Sequence, residues 1–174
     1  MANDMPTGLK ATSSVVPIGF IVSETAANTF TQTQVDLNLS PLDREVFVVL
    51  SINLDASAPD SVAGTNTSTS GSLTSTSQTG VALLDNSNCL AHTKLDIRQN
   101  AGSVDGVSFT RGAGEAPATG LDYLGIIATN DFFVQVKGLN NTASKAMAGK
   151  VYGYRARASA DIYAALVQSE VLSA

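Results

Sequence analysis

The sequence predicts an all-β fold, an eight- to nine-stranded antiparallel β-sandwich of jelly-roll type closed by a short C-terminal helix. Three observations predict it. Several stretches alternate apolar and polar side chains with period two, the mark of a half-buried strand. Turn-forming residues stand between them at fairly even spacing. The one helical pattern comes last, after the final strand. The chain of 174 residues suits one domain, and a domain of that size can bury a core without disulfide staples.

Residues 1–13 are expected to form a flexible arm, 14–158 the sandwich, and 159–174 the helix and tail. The first strand lies within 14–23. Pro17 cannot donate to a ladder, which makes this strand an edge or a bulged one. Residues 29–39 place Thr31, Thr33, Val35, Leu37 and Leu39 on one face, with Gln32, Gln34, Asp36 and Asn38 on the other. The most apolar run, 45–55, is the expected central strand. Val46, Val48, Leu50, Ile52 and Leu54 fall on one side, and Phe47, Val49, Ser51, Asn53 and Asp55 on the other. An aspartate at Val48 or Leu50 is therefore expected to prevent folding.

Residues 56–80 are a Ser/Thr-rich tract of low complexity. So few apolar groups predict a long surface loop, with at most a short edge strand, solvated or ordered by a neighbouring subunit. With the arm, it is expected to touch neighbouring subunits more than its own core. Asp85-Asn86-Ser87-Asn88 offers oxygen ligands of the kind calcium takes, and also reads as a plain Asx turn. Over 89–99, Cys89, Ala91, Thr93, Leu95 and Ile97 point one way, and His92, Lys94, Asp96 and Arg98 the other. A turn at Asn100-Ala101-Gly102, a short strand over 104–110 and a loop over 111–117 follow. Residues 121–128 and 131–138 read as a hairpin turning at Thr129-Asn130. Phe132, Val134 and Val136 face one side of it, and Phe133, Gln135 and Lys137 the other. The last strand, 150–158, puts Tyr152, Tyr154, Ala156 and Ala158 on one face and Arg155 and Arg157 on the other. In the helix, Ile162, Ala165, Leu166 and Ser169 form the expected stripe, capped by Ser159 or Asp161.

Composition excludes several functions. Charged residues are 14%, against about 25% in typical soluble domains. A net charge of −5 argues against an electrostatic grip on nucleic acid. The basic residues are scattered along the sequence, and no basic N-terminal arm is present. No sequence-specific nucleic-acid binding is expected. Cys89 is the single cysteine and His92 the single histidine. Three apart on a strand, they are expected on opposite faces, Cys89 as a small buried hydrophobe and His92 as an exposed polar residue. There is no Gly-x-Ser-x-Gly elbow, and Gly112-x-Gly114 lacks the third glycine of a phosphate loop. No enzyme activity, cofactor or metal is expected. Residues 1–8 have neither the charged nor the apolar region of a signal peptide, and no apolar run approaches the roughly 18 residues that would span a bilayer.

A surface rich in Ser, Thr, Asn and Ala suits one covered by neighbouring subunits, because charge is depleted in interface cores. Tyr152, Tyr154, Arg155, Arg157 and Phe133 are the candidate subunit-interface residues, since Tyr and Arg are enriched at hot spots. The alternative for the last strand is tyrosines in the core and arginines in solvent. In size, strand count, composition and terminal helix, residues 14–172 resemble the single jelly-roll capsid proteins of tailless icosahedral viruses, and bacteriophage virion proteins generally. The resemblance implies a coat protein, made in the host cytoplasm and carried in the virion. It would assemble with copies of itself, with or without a second coat protein. The missing basic arm suits a shell lying over a viral membrane, or one whose genome contacts another protein makes. The other reading is a phage tail, spike or decoration protein, or a lectin-like binding module.

Overall fold

The computed structural model describes residues 5–99, 106–111 and 114–173. In chain order the strands are β1 (Leu9–Ala11), β2 (Val16–Ser23), β3 (Thr31–Asp36), β4 (Glu45–Ala56), β5 (Thr67–Thr74), β6 (Cys89–Gln99), β7 (Gly106–Arg111), β8 (Gly114–Glu115), β9 (Gly125–Ile127), β10 (Asp131–Leu139) and β11 (Ala146–Ala158). Helix α1 (Ala160–Leu172) follows. In the first sheet β11 lies between β4 and the pair β2 and β1, which share its far edge, while β8 and β9 share the outer edge of β4. The second sheet runs β3-β10-β5-β6-β7. Strands β2 to β5 alternate between the sheets, and so do β9, β10 and β11. The two layers β2-β11-β4-β9 and β3-β10-β5-β6 are therefore the two four-stranded sheets of a jelly roll.

Between the sheets, Phe47, Val49, Ile52 and Leu54 of β4 meet Phe132, Val134 and Val136 of β10, Leu73 of β5 and Met147 and Val151 of β11. The Phe20 and Phe132 rings pack edge to face, with centroids 5.9 Å apart. A second core lies on the other side of the first sheet, under α1. There Val46, Val48, Tyr154, Ala156 and Ala158 meet Ile162, Tyr163, Leu166 and Val167.

β4 is central, as its sequence predicts, but its alternation breaks in the middle. Ser51 pairs with Tyr152 and Val49 with Gly153, so Leu50 has no cross-strand partner. This β-bulge adds one residue to one strand and reverses the parity beyond it. Ile52 and Leu54 thereby join Phe47 and Val49 between the sheets, while Val46 and Val48 face the helix. The single apolar face expected along the whole strand is two half-faces serving two cores. Val48 is fully buried. Leu50 is only partly so, and the expectation that an aspartate there prevents folding no longer follows.

Four other expectations are corrected. The tract 56–80 is not simply a surface loop, because its residues 67–74 form β5, an inner strand that is buried almost throughout. The arm is not wholly free of the body. Leu9 is buried in the second core and β1 pairs with β11. Residues 121–128 and 131–138 are not a hairpin, since β9 belongs to the first sheet and β10 to the second. The helix buries Glu170, half-buries Ile162, Tyr163, Leu166 and Val167 against the second core, and leaves Ala165 and Ser169 exposed. Ser159 is its N-cap in extended backbone, without a side-chain capping bond. The expected turn at Asn100-Ala101-Gly102, Val104 and Gly112 lie outside the described residues.

Candidate interaction surfaces

The face assignments along β11 hold at Tyr154, Arg155 and Arg157, and each of the three makes contacts within its own chain. Tyr154 lies buried under α1, where burial, helped by the Asp122 charge, raises its hydroxyl pKa. Arg155 is spent on its own chain. Its guanidinium donates to the Leu37 carbonyl at 2.6 Å and the Asn38 carbonyl at 2.9 Å, and pairs with Glu45 at 3.4 Å. It thus ties the β3–β4 loop to β11. Arg157 makes an exposed pair with Asp43 at 3.3 Å, worth about 0–1 kcal/mol. Tyr152 is the residue of this strand whose aromatic ring stays at the surface. Phe133 is half-buried on the outer face of the second sheet, opposite Gln34 and Thr74.

The outer face of that sheet is partly covered by residues 76–86, which fold back over it as a strap. A hydrogen-bonded layer lies beneath. Gln135, fully buried, accepts from Ser72 Oγ at 2.6 Å and donates to Thr74 Oγ1 at 2.7 Å and Gln32 Oε1 at 3.0 Å. The strap joins it through Ala82 N to Ser72 Oγ and Gln78 N to Gln32 Oε1. This explains the buried hydroxyls on the outer face of β5: Ser72 and Thr74 are satisfied, so burying them is tolerated, whereas Thr69 on the inner face buries its hydroxyl without a partner. Thr67, Thr69 and Leu73, at alternate positions, were the available sequence signal.

Cys89 and His92 are not on opposite faces. A bulge after Leu73 reverses the parity of β6. Both side chains reach the Ala82 carbonyl, His92 Nδ1 at 2.9 Å and Cys89 Sγ at 3.9 Å. Neither is poised for chemistry. Burial pushes the Cys89 thiol up to about 11 and lowers the His92 pKa, keeping the imidazole neutral. His92 is half-buried rather than exposed. The run 85–88 is an Asx turn in which Asn86 Oδ1 accepts from Asn88 N at 2.9 Å. Among the described residues no cluster of three His, Cys, Asp or Glu side chains could hold a metal.

Other carboxylates act as fasteners. Glu170 reaches from α1 to the β9–β10 corner, accepting from Ala128 N at 2.9 Å, Thr129 N at 3.2 Å and Thr129 Oγ1 at 2.9 Å. Its burial raises its pKa. At the far end of the sandwich, Asp60 pairs with Lys145 Nζ at 2.6 Å and accepts from Thr142 and Ala143. The Lys145 ammonium holds the Asp60 carboxyl well below the usual carboxylate range. Glu24 accepts from Gly138 N and Lys145 N.

No family model and no curated protein matches the chain. A solved chain from Desmodium yellow mottle tymovirus is similar at 13% identity, covering 90% of this chain and 95% of its own, with a TM-score of 0.29. The fold assignment rests on strand order and not on this likeness. Among the described residues no helix is long and apolar enough to cross a membrane.

Proposed function

We propose that the chain is a virion structural protein, a coat protein that assembles with copies of itself into a closed shell. One observation carries this reading: apolar side chains lie outside both cores, in separate places. On the half of the first sheet that α1 leaves open, Ile21 is 63% exposed and Tyr152 38%. They share that face with Ala148, opposite Ile21, and Pro17, opposite Tyr152. At the tip of the β3–β4 loop, Leu42 is 96% exposed. Contiguous exposed apolar groups mark interaction sites. An apolar patch in one place and a projecting leucine in another suit a heterologous contact, the kind that builds rings and lattices. The low charge of the chain supports the same reading. In it Tyr152 and Phe133 serve the subunit interface, while Tyr154, Arg155 and Arg157 position the surfaces that do.

The test is the size of the purified assembly, by light scattering and electron microscopy of the same sample. Closed shells or regular arrays are expected. Ile21→Asp or Leu42→Asp is expected to stop assembly while leaving the melting temperature within a few degrees, since neither side chain is in a core. A trimer or small ring would instead favour a tail, spike or decoration role on the same sandwich. A monomer at high concentration would overturn self-assembly.

A further inference from the structure

The Lys and Arg residues look scattered in the sequence, but the second sheet gathers four of the ten on one half of its outer face. Lys137 of β10 stands opposite Ser70 of β5, Ser70 opposite Lys94 of β6, and Lys94 opposite Arg111 of β7. Arg98 follows on the same face of β6. With strands about 4.8 Å apart, the row from Lys137 to Arg111 spans roughly 14 Å. Among the described residues one carboxylate is interleaved with it. Asp96 is almost fully buried and lies 3.4 Å from Lys94 Nζ and 3.3 Å from Arg111 Nη2. Four cations against one carboxylate leave a local positive surplus on a chain whose net charge is −5.

Buried Asp96 accounts for Lys94 and Arg111, which flank it, but among the described residues no carboxylate pairs with Lys137 or Arg98 on the same face. An aromatic group stands among the cations. Phe109 of β7 is 49% exposed and lies opposite Asp96. With Arg98, Thr110 and Arg111 it lines an open hollow of about 490 Å³. Beside Lys94, a cleft of about 310 Å³ includes Ser68, Ser70 and Lys137 in its lining.

We propose that this face binds single-stranded nucleic acid without sequence preference. Cations in a row track the phosphates, and an exposed aromatic ring between two arginines stacks a base. The Ser70 hydroxyl, which donates to the Lys137 carbonyl at 3.2 Å, would rotate to donate to a phosphate oxygen lying between Lys137 and Lys94. A duplex keeps its bases stacked and out of reach of Phe109. Cations and a serine hydroxyl meet phosphates, and Phe109 meets a base face, so neither contact discriminates between bases. The inference goes beyond the assembly reading and does not depend on it, because a single chain already presents the whole face.

The experiment is fluorescence anisotropy of a labelled oligothymidylate of about 12 nucleotides, within the site sizes of single-strand binders, titrated with the full chain. The logarithm of the binding constant is expected to fall with the logarithm of salt with a slope of about −2 to −3, near −0.7 per neutralised phosphate. Arg98→Gln and Lys137→Gln are each expected to flatten that slope by about 0.7. Phe109→Ala is expected to weaken binding about fivefold to a hundredfold, and Phe109→Tyr to retain it. Lys10→Gln and Lys150→Gln, on the first sheet, are expected to change nothing. Three results would overturn the proposal. They are no anisotropy change at the lowest salt, an equal loss in the Lys10 and Lys150 variants, or Phe109→Ala binding as wild type while heparin competes as well as the oligonucleotide. The last would make the face a general polyanion surface.

Discussion

At the residue scale, the chain uses polar side chains as internal fasteners. Gln135 is the clearest case, since one amide links β3, β5 and β10 and, through Ser72 and Gln32, holds the strap over the sheet. Truncating it leaves the buried Ser72 and Thr74 hydroxyls short of a partner and opens a small void. Gln135→Ala is expected to cost about 2–4 kcal/mol, read as a shift in urea midpoint. It is also expected to speed proteolysis within 76–86. An unchanged midpoint would mean that water replaces the amide and that the network contributes little. Periodicity could not reveal Gln135 as buried, because hydrophobic pattern marks apolar cores and is silent on polar groups satisfied by distant partners.

At the element scale, the β4 bulge decides how one strand serves two cores. Its consequence can be tested by comparing a deletion with a substitution at one position. Deleting Leu50 is expected to keep the fold at reduced stability, because Ser51 and Ile52 retain Tyr152 and Val151 as partners and a regular strand still puts Phe47, Val49, Ile52 and Leu54 on one face. Leu50→Ala keeps the parity and removes only a partly buried side chain, at about 1–2 kcal/mol. Circular dichroism and melting of both variants would decide. A deletion variant that fails to fold would show that the local bend and twist of the bulge are required, and not only the facing of the side chains. The existence of β4 and its central place were legible from Val46 to Leu54. The bulge was not, because nothing in Val-Leu-Ser-Ile distinguishes a regular strand from one with an unpaired residue. It is set by β11, where a Cβ on Gly153 would collide with the Val48 carbonyl oxygen.

At the scale of the whole molecule, two carboxylates give stability opposite pH slopes. The folded pKa of Glu170 is raised above its ordinary value of 4.5, so the native state binds its proton more tightly. That contribution is fully present below 4.5 and is lost as pH rises through the raised value. Asp60 is the reverse: its folded pKa is depressed, so its contribution is present above 3.8 and is lost as pH falls further. Glu170→Gln is expected to remove the decline on the alkaline side, and Asp60→Asn the loss on the acid side, in urea midpoints measured from acid to neutral pH. If Glu170→Gln follows the wild-type profile, the carboxylate is not differentially protonated on folding. The sequence by itself determined the class of fold, the central strand, most strand positions and the terminal helix. Those follow from local alternation, turn chemistry and composition, which act between near neighbours. Tertiary structure alone decided the inner place of β5, the split of β4 between two cores and the shared carbonyl of Cys89 and His92. It alone also gathered Lys94, Arg98, Arg111 and Lys137 on one face. Each of these depends on register between strands far apart in the chain, and a bulge of one residue is enough to change the outcome.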